Sequence, residues 1–215
     1  NRDVGLSSDG PEGYSLKDMA SDAVAVLDDL AIKKAHVFGV SLGGMIAQTF
    51  AIEFPERILS LISVMSTTGD SDVGRPTDEA RELLLTPGST NREQAIELHL
   101  AGKHVWGSPG HIDDEYERQF AGEVFDRACR PDGVGRQYKA SRADRSRSDR
   151  LRALKVPTLV IHGDQDTLID ISGGRRTADV IPQAEFFEVV GMGHDYPEYF
   201  WTILVTAVRE HCQNI

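Results

Sequence analysis

Along the chain, short continuous apolar runs alternate with longer stretches in which apolar residues recur every three or four positions. Val37, Phe38 and Val40 mark the end of a short buried strand near 35–40, and ILSLISV (58–64) reads as a second. VPTLVIHG (156–163) and AEFFEVV (184–190) read as a third and a fourth. Helical spacing fills the gaps. Leu16, Met19, Ala20, Ala23, Leu27 and Leu30 line one helix face, and Ser15 with Asp18 three residues on forms a capping-box start. Met45, Ile46, Thr49, Phe50 and Ile52 line a second helix that Pro55 stops, and a closing helix over 197–212 has Pro197 in its first turn. Continuous apolar strands alternating with helices predict an α/β fold with a parallel sheet covered on both faces.

Residues 65–150 break this rhythm. They are rich in Gly, Asp, Arg and Pro, contain no convincing strand, and show helical stretches near 77–85, 91–104, 112–128 and 135–153. The mixed-sign run SRADRSRSDR (141–150) reads as a solvated helix face. The chain thus divides into a core segment 1–64, an inserted helical cap 65–150 that covers a pocket, and a second core segment 151–215. There are no internal repeats.

At the end of the first strand stands Gly39-Val40-Ser41-Leu42-Gly43, immediately before the second helix. This is the G-x-S-x-G pattern of a nucleophile elbow, in which a sharp strand-to-helix corner exposes the serine hydroxyl. Such a corner is expected to leave no room for a Cβ at Gly39 or Gly43. The competing reading is an ordinary βα turn in which Ser41 caps the helix.

In open parallel sheets, sites gather at the carboxyl ends of strands. HGDQD (162–166) follows the third strand and GMGHD (191–195) follows the fourth, so the order is Ser…Asp…His. A serine hydroxyl is a poor nucleophile at neutral pH; a histidine must take its proton and a carboxylate must orient that imidazole. Three carboxylates compete. Asp164 reads as a turn residue after Gly163 and Asp170 as a cap of the next helix, which favours Asp166. His194, set in a glycine-flanked loop, is favoured over His162 and His36, which read as packed strand residues. His99, His104, His111 and His211 read as solvated, with His104 and Trp106 also placed to face a substrate pocket from the cap. No pair of histidines has metal-ligand spacing with a third ligand nearby, so no metal is expected, nor any other cofactor.

Charge and composition narrow the partners. With formal net charge −11 over 215 residues the chain is a poor match for phosphate backbones or anionic lipid, and nucleic acid and membrane are not expected partners. No apolar run has the length of a membrane span. Cys129 and Cys212 are far apart and read as reduced bystanders of a cytoplasmic protein. No signal peptide is visible, and the sequence begins at Asn1 rather than at methionine.

The stretches NRDVGLSS, SDAVAVLDDLAIKKAHVFGVSLGG, FPERI, VPTLVIHGDQD and GMGHDYP, in this order, resemble the α/β-hydrolase family, and within it the esterases related to aclacinomycin methylesterase. The resemblance implies a serine carboxylic-ester hydrolase acting on a small-molecule ester. Ser41 would be its nucleophile, Asp166 its acid, His194 its base, and the Leu42 backbone N–H one oxyanion donor. It also implies that the chain corresponds to the later half of the family's sheet, about four strands, without the loop that supplies the second oxyanion donor. Three expectations follow from that departure. The strand at 35–40 is an exposed edge open to self-association. A C–C hydrolase or perhydrolase on the same residues is an alternative activity. A catalytically impaired interaction module is an alternative role.

Overall fold

Four strands form one parallel sheet in the computed structural model, which describes residues 1–215. They are β1 (Ala35–Val40), β2 (Ile58–Val64), β3 (Thr158–Gly163) and β4 (Glu185–Val189), and they lie side by side in chain order. The register pairs Val40 with Val64, Val64 with Ile161, and Gly163 with Val189. All four carboxyl ends therefore emerge at one rim of the sheet.

Alternation along β2 and β3 assigns side chains to two layers. Leu61 packs on one face with Leu16, Met19, Ile46, Phe50 and Ile181, drawn from helices α1 (Leu16–Asp29) and α2 (Leu42–Glu53) and from the residue after α8 (Ser172–Val180). Ile62, Val64, Leu159 and Ile161 pack on the other with Met192 and with Phe200 of α9 (Glu198–Gln213). Each such fully buried aliphatic side chain contributes about 1.5–3 kcal/mol relative to exposure. Ser15 caps α1 as its sequence implies: its side chain accepts from Asp18 N while Asp18 reaches back to the Ser15 N–H.

The two outer strands differ from a fully buried reading. β1 pairs only with β2, and Phe38 is 54 % exposed. On that side Phe38 borders an apolar concavity of about 410 Å³ shared with Val64, Ile161, Trp201, Leu204 and Val205. Of β4 only Val189 is buried, because this strand too has a single neighbour.

Between β2 and β3 run α3 (Asp78–Leu84), α4 (Arg92–Trp106), α5 (Asp114–Arg127), α6 (Pro131–Ala143) and α7 (Ser148–Leu151). The continuous helix expected over 135–153 is divided at Arg147. That side chain is buried, and its guanidinium donates to Gln48 Oε1 at 3.1 Å, the Thr67 carbonyl at 2.7 Å and Asp144 Oδ2 at 3.0 Å. The run SRADRSRSDR is thus not simply a solvated face; its Arg147 and Ser148 anchor these helices to the core. Asp70 fastens the same junction, accepting from Ser148 Oγ and Arg176 Nη1, each at 2.7 Å, and from Ser146 Oγ. No helix is long and apolar enough to cross a membrane.

Candidate active site

Ser41 sits at the corner between β1 and α2 with φ 56° and ψ −119°, a left-handed conformation that is strained for a residue with a side chain. The backbone around it holds that strain. Ser41 N–H donates to the Val64 carbonyl at 2.9 Å, while its own carbonyl accepts from Gly44 N and from Ser66 Oγ at 2.8 Å. Its hydroxyl makes no capping bond to α2, so the turn-cap alternative is not realised.

The glycines divide the work differently from the motif's expectation. A Cβ on Gly39 would run into the Gly43 carbonyl, as expected of so tight a corner. A Cβ on Gly43 would meet nothing within 4 Å. The second tight position is Gly44, where a Cβ would lie 2.5 Å from Ser66 Cβ. The helix enters with Gly43 turned to open space and Gly44 turned toward the loop that follows β2.

The Ser41 hydroxyl lies 2.8 Å from Nε2 of His194, and Nδ1 of the same imidazole lies 2.7 Å from Oδ2 of Asp166. Those partners define the tautomer: Nδ1 carries the proton toward Asp166, leaving Nε2 to accept from Ser41. Asp166 is buried, and its other oxygen accepts from the backbone N–H groups of Leu168 and Ile169 at 2.9 and 2.8 Å. Burial pushes the Asp166 carboxyl up, but its contacts with His162 and His194 outweigh that and hold it below the usual carboxylate range. Leu42 is the first residue of α2, so its N–H lies outside the helix's own i→i−4 bonds, at the corner beside Ser41.

The remaining candidates fall elsewhere. Asp164 Oδ1 accepts from Gly191 N at 2.7 Å, tying the loop after β3 to the loop after β4, and Asp170 accepts from Ser172 N at the start of α8. His162 is buried with Nε2 2.8 Å from the Ile169 carbonyl, and His36 Nδ1 lies 2.8 Å from Ser60 Oγ. His104 is exposed and paired with Asp114 at 3.0 Å, and the Trp106 ring lies against Gly102 of its own helix. What Trp106 offers the site is its carbonyl, which accepts from His194 N at 2.5 Å. His99 is engaged by Glu117 at 2.6 Å, His111 stacks on Tyr199 with ring centroids 4.2 Å apart, and His211 is buried. His211 is therefore not the solvated residue its sequence position suggests, and His99 and His111 are half-buried. Both cysteines are free.

One contact near the site, between Ser108 and the loop of His194, has no sequence signal. Ser108 and Asp195 are buried against each other, and Gly193 N donates to Ser108 Oγ at 2.9 Å. Eighty-five positions separate Ser108 from Gly193, so only folding brings them together.

A strained serine at a strand-to-helix corner thus lies within hydrogen-bond distance of a histidine that is in turn hydrogen-bonded to a buried aspartate, all at the carboxyl rim of a parallel sheet. The α/β-hydrolase fold model matches residues 1–198, and the chain belongs to that family. Rhodomycin D methylesterase DauP of Streptomyces sp. (strain C5) is 28 % identical over 98 % of this chain and 78 % of its own length. 3-oxoadipate enol-lactonase 2 of Acinetobacter baylyi is 27 % identical over 90 % of this chain and 69 % of its own. The crystal structure of a meta-cleavage product hydrolase, CumD, superposes with TM-score 0.82 at 22 % identity, over all of this chain and 78 % of that one; this likeness is one of fold.

Proposed function

We propose that this chain is a serine carboxylic-ester hydrolase acting on a small-molecule ester without a metal or other cofactor. The observation that carries the reading is the pair of contacts on one imidazole, 2.8 Å to Ser41 Oγ and 2.7 Å to Asp166 Oδ2. His194 accepts the Ser41 proton as Oγ attacks the ester carbonyl, and Asp166 stabilises the imidazolium that forms. The Leu42 N–H, at the positive end of α2, donates to the developing oxyanion. His194 then returns the proton to the leaving alcohol, giving acyl-Ser41. A water deprotonated by the same imidazole attacks the acyl carbonyl, and collapse of the second tetrahedral intermediate frees the acid and restores Ser41. Residues 65–150 act as a cap that shapes the pocket and excludes water. Kinship with a methylesterase and an enol-lactonase, both enzymes named for ester-type bonds, supports the choice of ester over amide.

The test is covalent labelling with a fluorophosphonate probe together with turnover of a p-nitrophenyl ester. Labelling at Ser41 alone, and loss of both signals in Ser41→Ala, is the expected result. Unchanged labelling of the Ser41→Ala chain refutes the reading.

A further inference from the structure

Three consecutive residues of the loop after β4 are hydrogen-bonded to the C-terminal end of α4 and the residues just beyond it. Gly193 N donates to Ser108 Oγ at 2.9 Å, His194 N donates to the Trp106 carbonyl at 2.5 Å, and Asp195 Oδ1 accepts from both Ser108 N at 3.0 Å and Ser108 Oγ. Contact is close enough that a Cβ on Gly193 would stand 2.5 Å from the Gly107 carbonyl oxygen, and one on Gly107 would stand 2.9 Å from Asp195 Oδ2. The loop after β3 is held by the same stretch, since Thr167 Oγ1 donates to the Val105 carbonyl at 2.7 Å. Behind Asp195 the contacts continue into the helix pair: Lys103 Nζ lies 3.5 Å from Asp195 Oδ2 and 2.9 Å from Glu117 Oε1, and Glu117 Oε2 lies 2.6 Å from His99.

A histidine that must reach both a serine and an aspartate needs its backbone fixed in position, and a loop that enters His194 through Gly191 and Gly193 does not fix itself. We propose that Ser108 and Asp195 are positioning residues for His194: the Ser108 hydroxyl, oriented by the Asp195 carboxylate, locks the loop so that the imidazole spans Ser41 and Asp166. The proposal rests on the reading of Ser41, His194 and Asp166 as the reacting constellation. It also makes α4 a part of the site's framework rather than only a cover over it. Neither residue touches a reacting atom; each acts through the backbone of 193–195.

Ser108→Ala removes one oxygen, and Asp195→Ala removes the acceptor that orients it. Each is expected to lower kcat on a p-nitrophenyl ester by about 10²-fold while KM stays nearly constant, the pattern of a misplaced base rather than a lost substrate contact. Asp195→Asn keeps an acceptor oxygen for Ser108 and is expected to retain most of the rate. A second readout is independent of turnover. The His194 Nδ1 proton, hydrogen-bonded to Asp166, should give a far-downfield proton resonance in the unsubstituted chain that disappears in both alanine variants. If Asp195→Ala does not fold, the single-atom change at Ser108 decides alone. Persistence of the resonance and of kcat in Ser108→Ala, or absence of the resonance from the unsubstituted chain, overturns the proposal. A chain that hydrolyses no ester, yet loses the resonance in Ser108→Ala, leaves the positioning intact and defeats the esterase reading instead.

Discussion

The Nε2 of His162 lies 3.2 Å from Oδ2 of Asp166, the same oxygen that Nδ1 of His194 reaches at 2.7 Å. Asp166 thus stands between two imidazoles of different standing. His162 is fully buried, its Nε2 is also 2.8 Å from the Ile169 carbonyl, and its Nδ1 has no partner. Nε2 of His162 thus faces two acceptors at once, while Nδ1 is buried with none.

From this arrangement the two neighbouring aspartates should differ sharply on substitution. Asp166→Asn puts an amide where the imidazole N–H needs an acceptor and should lower ester turnover on the order of 10⁴-fold. Asp164→Asn disturbs only a loop contact to Gly191 and should cost far less. Steady-state kinetics on both variants decide, and equal losses would remove Asp166 from its proposed role.

The glycines after Ser41 should also separate. Gly43→Ala projects into open space in the first turn of α2 and should leave the melting temperature unchanged or raise it slightly. Gly44→Ala drives a methyl into Ser66 and should destabilise the fold by about 1–3 kcal/mol. Thermal denaturation of the two variants, one position apart, checks the assignment of the tight approach to Gly44.

Acid stability should report on the junction at Asp70. Burial by itself would raise this carboxyl, but donors from Ser146, Ser148 and Arg176 bring it down to about 2. Because the folded value lies below the unfolded value of about 4, the contribution is fully present above that pH and is lost as pH falls toward 2. Asp3, held well below the usual range by Arg136, acts in the same direction. Asp70→Asn should therefore lower the melting temperature at neutral pH and flatten its decline below pH about 4. A decline of unchanged slope in that variant would assign acid unfolding to other groups.

For the edge strand we propose self-association between copies of the chain. β1 has one neighbour, contains no proline, and leaves Phe38 exposed beside the apolar concavity on α9. Unpaired N–H and C=O groups on such an edge template pairing with another strand. Sedimentation velocity should show concentration-dependent association, and Phe38→Lys should suppress it, since a charge on an edge opposes pairing. A chain that stays monomeric throughout a concentration series excludes this interface.

Local physics alone determined much of this molecule. Apolar runs set four strands within a residue or two of their observed ends, the Ser15–Asp18 box set the start of α1, and the turn at Ser41 followed from its strand, glycines and helix. Each of these depends on neighbours only a few positions away, which is the range over which periodicity and turn chemistry act. Tertiary structure decided what depends on distant partners. Phe38 is exposed because β1 lies at an edge, and α6 ends before α7 because Arg147 turns inward to Gln48 and Thr67. Gly44 rather than Gly43 is the tight glycine because Ser66, on another loop, faces it. Among three aspartates spaced within seven residues, only Asp166 comes within hydrogen-bonding distance of the His194 imidazole. The hold of Ser108 on the His194 loop has no counterpart in composition or spacing at all. Its residues, 85 to 87 positions apart, are brought together where the C-terminal end of α4 meets the loops after β3 and β4.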